Sequence, residues 1–146
     1  GVLRKASSRY QEPVPVSQIS PGLRERVLVG PTLIVTKTNA EATVRWALRR
    51  APDYEVPRVH LVASHPVSDE DVACADWLAA RLTGATAPTD RRVRQRIRTA
   101  RSAQKFYNRD FDIRDLDLAC RRLEPRYVMR VEMVDETPTI FPVAID

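Results

Sequence analysis

The chain is expected to adopt an α/β (or α+β) fold with the element order β-α-β-α-α-α-β-β, a mixed sheet covered by helices and a C-terminal antiparallel hairpin. Three observations predict it. Two apolar runs rich in β-branched residues, Val27–Thr36 and Arg58–Ala63, suit strands of a buried sheet. The stretches between and after them carry apolar residues at helical spacing behind recognisable caps. The last twenty residues alternate with period two on both sides of a turn. A chain of 146 residues with 43% hydrophobic and 29% charged residues is long enough for one real core. The expected division is a basic, proline-rich arm over residues 1–26 and one globular domain over residues 27–146.

In the arm, Arg4, Lys5 and Arg9 precede Pro13, Pro15 and Pro21. Proline at that density fixes φ and favours extended chain. Val14, Val16 and Ile19 are its candidate anchors. The strand Val27–Thr36 follows, broken at Gly30-Pro31, since proline cannot donate to a ladder. Thr38 and Glu41 have the spacing of a capping box. Ala40, Val44, Ala47 and Leu48 then mark a helix that Pro52 ends. Arg58–Ala63 is the second strand, and a right-handed crossover would make it parallel to the first. Ser68–Leu82 reads as the second helix, with Val72, Ala75, Leu78, Ala79 and Leu82 as its apolar face and Gly84 as its stop. Thr89 or Asp90 then caps a third helix.

That third helix, Arg91–Arg109, holds eight cations and no acid, while the formal net charge of the chain is +5. The remainder is therefore net acidic, and the basicity is local. At about 100° per residue, Val93, Ile97, Ala100, Gln104 and Tyr107 form a narrow apolar seam. Arg91, Arg94, Arg98, Arg101, Lys105 and Arg109 form a cationic stripe beside it, about 27 Å long. Such a stripe repels itself and calls for an anion. These six residues are the candidate nucleic-acid-binding residues. The expected function is non-catalytic binding of an RNA or DNA phosphate backbone. The alternative is an assembly subunit of a nucleoprotein or viral particle, its partner a second copy (a homo-oligomer) or an acidic protein.

Enzyme readings are weaker. Asp110, Asp112, Asp115 and Asp117 could serve a metal-dependent nuclease, but acids at the start of a short helix ending near Arg122 also suit the helix dipole. His60 and His65 with Asp69, Glu70 and Asp71 lack a metal-ligand spacing. No glycine-rich phosphate loop or nucleophile elbow is present. The expectation is no catalytic residue, no metal and no cofactor. Cys74 and Cys120 read as buried free thiols. No run approaches the roughly 20 apolar residues of a membrane helix, and the first residues lack the apolar core of a secretion signal. The expected location is the cytoplasm or the interior of a nucleoprotein particle. Finally, Arg126–Asp135 and Thr139–Ile145 alternate as a hairpin around Asp135-Glu136-Thr137-Pro138.

Overall fold

The computed structural model describes residues 14–15, 30–63, 68–123 and 125–145. The architecture is mixed α/β with a C-terminal antiparallel hairpin. The described elements are β1 (Val14–Pro15), β2 (Thr32–Ile34), α1 (Ala40–Arg50), α2 (Asp69–Thr83), α3 (Asp90–Thr99), α4 (Gln104–Tyr107), α5 (Ile113–Cys120), β3 (Tyr127–Val134) and β4 (Thr137–Ala144). Single 3₁₀ turns follow α1 and precede α4. The chain divides into a sheet unit and a helical unit, Thr36–Glu124.

In the sheet unit the strand order is β1-β4-β3-β2, antiparallel at every pairing. The hairpin runs in unbroken register from Tyr127↔Ala144 to Val134↔Thr137. Its loop is shorter than the sequence suggests: Asp135 and Glu136 alone make the turn, with φ of 46° and 64°. Positive φ at both positions is what a two-residue hairpin loop requires to match strand twist. Thr137 and Pro138 therefore join the strand. Val131 and Ile140 face each other and are buried, with Ile34 and Met129 packed on them. Val128, of opposite parity, is also fully buried. In the arm, Val14 pairs with Ile140; the rest of the arm and residues 27–29 lie outside the described residues.

The expected second strand does not form. Residues 58–63 make no ladder, and Val59 and Val62 are exposed. Period-two alternation describes a chain that fits a pleated surface, but a strand needs a neighbour to pair with. Parallel pairing of the first two strands is thus replaced by antiparallel pairing of β2 with β3, and the described sheet is not mixed.

In the helical unit, Ala73, Val93, Ile97, Ala103, Leu116 and Cys120 form the core, with Cys74, Trp77 and Phe106 packed against it. Gly84 ends α2 in the left-handed region at φ 74°, a conformation glycine adopts without a Cβ penalty. The buried face of α2 is carried by Ala73 and Leu78, whereas Ala79 is exposed. Thr89 caps α3 by accepting the Arg92 N–H at 3.3 Å. Among the described residues, no helix is long and apolar enough to cross a membrane.

Candidate functional site

The basic stretch is not one helix. Its regular hydrogen bonding stops at Thr99, and Ala100 turns extended, with ψ 151°. A 3₁₀ turn and the one-turn helix α4 follow. Val93, Ile97 and Ala100 are buried as the seam predicts, but Tyr107 and Gln104 are exposed. The stretch ends on a Schellman arrangement: the Asp110 N–H reaches the Lys105 carbonyl at 2.9 Å and the Arg109 N–H the Phe106 carbonyl at 3.3 Å. Arg109 occupies the left-handed position, at φ 67°, that glycine usually fills.

The expected stripe is divided in use as well as in geometry. Arg94 pairs with Asp90, and Arg98 with Asp117. Arg96, between them, holds Asp69 at 2.6 Å and Asp76 at 2.8 Å. The Lys105 ammonium lies 5.4 Å from the Phe106 ring and 5.0 Å from that of Phe111. Arg91, Arg101 and Arg109 are exposed and make no ion pair among the described residues. The acids that neutralise the arginines come from α2, the start of α3, and α5. Helical periodicity within residues 91–109 carries no information about them.

The aspartate cluster is likewise consumed locally. Asp112 caps α5 by accepting the Arg114 N–H at 2.9 Å and also pairs with the Arg114 guanidinium. These hydrogen bonds hold its carboxyl below the usual carboxylate range. Asp112, Arg114, Asp115, Asp117 and Arg121 line an open depression of about 410 Å³ along α5. Among the described residues, no three His, Cys, Asp or Glu side chains converge to hold a metal ion. His60 is exposed, and His65 lies outside the described residues.

A more enclosed cleft, about 290 Å³, gathers groups from four places in the helical unit: Lys37 and Glu41, Trp77 and Arg81, Asp90, and Arg122. Lys37 lies in the turn before α1. Its side chain is only 8% exposed, and its Nζ lies 2.6 Å from Asp90 Oδ1. Burial resists ionisation of Asp90, but hydrogen bonds and charge from Lys37 and Arg94 outweigh it and lower the carboxyl pKa. The Asp90 carboxyl is thus ionised at neutral pH.

Glu41 is the second anchor. The expected capping box does not form: α1 begins one residue after Asn39, which makes no side-chain cap. Instead the Asn39 Oδ1 accepts the Thr36 N–H at 2.8 Å, and Glu41 turns to two arginines. Arg81 Nη2 lies 2.7 Å from Glu41 Oε1, and Arg122 Nη2 lies 3.3 Å from Oε2. The first contact is a hydrogen bond. The second is an ion pair without hydrogen-bond alignment, so Oε2, buried, accepts none. Leaving such an oxygen unsatisfied costs about 1–3 kcal/mol. The Arg81 guanidinium rests over the Trp77 ring at 5.6 Å, which fixes its approach. A hydrogen bond from the Leu123 N–H to the Thr38 carbonyl at 3.2 Å ties the chain next to Arg122 back to the turn before α1.

Three cations and two carboxylates therefore share the cleft, leaving one positive charge in excess. The arrangement can receive and orient a small anion of more than one acid group. Cys74 also lines it, but burial, then the nearby Asp71, push its thiol pKa up, the opposite of an activated nucleophile. None of these residues belongs to the stripe. Glu41 reads in sequence as a cap partner and Arg122 as a helix-end charge, while Lys37 and Arg81 stand in no motif at all.

No protein-family model matches the chain, and no solved structure resembles it closely enough to register as a match. Over 90 residues the chain is 33% identical to a protein of Bacillus subtilis (strain 168) named as a probable 2-phosphosulfolactate phosphatase. The match takes in 60% of this chain and 40% of that relative. The chain thus spans about two-fifths of the curated protein it matches. This similarity overturns the sequence-based expectation of a non-catalytic nucleic-acid-binding or assembly protein, and with it the nuclease alternative: the relative it finds is named as a probable phosphatase.

Proposed function

We propose that this chain takes part in hydrolysis of a phosphomonoester of a small organic acid, with the Lys37–Arg81–Arg122 cleft as the place where the substrate is held. The similarity to a probable 2-phosphosulfolactate phosphatase carries the reading. The cleft supports it on physical grounds. A substrate bearing phosphate, sulfonate and carboxylate groups is strongly anionic at neutral pH and small enough for about 290 Å³. Guanidinium groups match planar and tetrahedral oxyanions through paired N–H donors, and a buried ammonium adds a fixed point charge.

In the reaction, water oxygen attacks phosphorus, the P–O bond to the organic acid breaks, and the hydroxyl of the acid leaves with a proton. The products are inorganic phosphate and the free hydroxy acid. Charge accumulates on the phosphoryl oxygens, so cations held in place before the reaction contribute most. Lys37 is such a cation, fixed by Asp90 and with little of its own side chain open to water. The test is release of inorganic phosphate from 2-phosphosulfolactate by the whole chain, with and without added divalent cation. Release above the protein-free rate, and faster than from p-nitrophenyl phosphate, is expected. Release no faster than the protein-free rate in both conditions refutes the proposal.

A further inference from the structure

We infer that Glu41 is a built-in competitor for the substrate: its carboxylate occupies the place between Arg81 and Arg122 that the acid group of the substrate, distant from the phosphate, takes on binding. The choice of ligand rests on the phosphatase reading above; the geometry does not.

Two guanidinium groups converge on one carboxylate, and they do so unequally. Arg81 is held by a hydrogen bond at 2.7 Å and by its stacking on Trp77. Arg122 approaches at 3.3 Å and leaves Glu41 Oε2 without a hydrogen bond. An optimised structural salt bridge satisfies the buried oxygen; this one does not. Arg122, about half exposed, still has its guanidinium N–H groups to offer. A sulfonate or carboxylate entering the cleft meets a cation whose present partner is poorly made. Displacing Glu41 gives up its hydrogen bond to Arg81 together with the misaligned pair to Arg122, and an acid group seated between the two guanidinium groups replaces the first and supplies the aligned contact that the second lacks. The same displacement frees the Glu41 side chain, which sits in the first turn of α1 and lines the cleft.

Sulfolactate and malate differ only in placing a sulfonate or a carboxylate at the same carbon, and neither carries phosphate. Calorimetric titration of the whole chain with each therefore reads the acid-group receptor without turnover. Arg122→Gln is expected to weaken binding of the preferred acid by about tenfold or more, the loss of one charge-assisted contact. Glu41→Gln, which keeps shape but removes the competing charge, is expected to tighten it several-fold. Glu41→Asp, which draws the carboxylate back by one methylene, is expected to tighten it less and serves if the glutamine variant does not fold. Tighter sulfolactate than malate binding identifies the sulfonate as the group received; the reverse identifies the carboxylate. Equal affinity of parent and Arg122→Gln, or unchanged or weaker binding by the folded Glu41 variants, overturns the inference. Phosphate release with Arg122-independent sulfolactate binding defeats this inference alone. Arg122-dependent binding without phosphate release defeats the phosphatase reading alone.

Discussion

Removing Asp90 is expected to cost more stability than removing Lys37, although the two form one ion pair. The reason is unequal burial. The Lys37 side chain is 8% exposed, whereas that of Asp90 is 38% exposed and keeps Arg94 as a second partner. In Lys37→Met the remaining carboxylate is still solvated and still paired, so the loss is about 2 kcal/mol, below the range for breaking a fully buried pair. In Asp90→Asn the Lys37 ammonium stays buried with only a neutral acceptor, and the loss is about 3–5 kcal/mol. For a chain of this size, about 3 °C per kcal/mol translates these into falls of about 6 °C and 9–15 °C in Tm. The double variant Lys37→Met/Asp90→Asn is expected to recover at least about 1 kcal/mol of the summed single losses, as contacting partners do in a double-mutant cycle. Urea unfolding followed by circular dichroism measures all four proteins. Equal single losses, or additive ones, refute the burial argument and remove Lys37 as a fixed cation of the cleft.

Other perturbations test the frame around the site. Ile97→Ala removes a buried side chain from the helical core and is expected to cost about 2–5 kcal/mol in chemical denaturation. Arg109→Gly relieves a left-handed residue at φ 67° that makes no ion pair among the described residues, and is expected to raise stability by about 1 kcal/mol. Acid sensitivity follows from three carboxyls whose pKa lies below the ordinary 3.8: Asp90, Asp112 on the surface, and Asp69, lowered by hydrogen bonds from Arg96. Folded-state depression means that their stabilisation is fully present above the unfolded value and is lost as pH falls below it through the folded values. Arg96→Gln is therefore expected to destabilise the protein at pH 6 and to show a smaller further loss than the parent between pH 4 and pH 2.

The regular elements were largely legible in the sequence, because their signals are local. Period two over Tyr127–Val134 gives the hairpin, Thr89 caps a helix where a cap is expected, and Gly84 ends one where a stop is expected. The misreadings share a cause in contacts that are distant along the chain. RVHLVA has a strand pattern but no paired neighbour among the described residues. The arginine ridge looks unopposed until Asp69, Asp76 and Asp117 are brought against it. The cleft was not legible because its parts carry no motif. Lys37, Glu41, Arg81 and Arg122 are ordinary surface residue types, separated by up to 85 positions, and only the packing of the helices makes them neighbours.

Amide and side-chain chemical shifts during titration with 2-phosphosulfolactate locate the ligand directly. The account predicts perturbations centred on Lys37, Glu41, the Trp77 indole and the Arg81 and Arg122 guanidinium groups, with Arg91, Arg101 and Arg109 unmoved. Shifts confined to those three arginines, or to the aspartates along α5, contradict it.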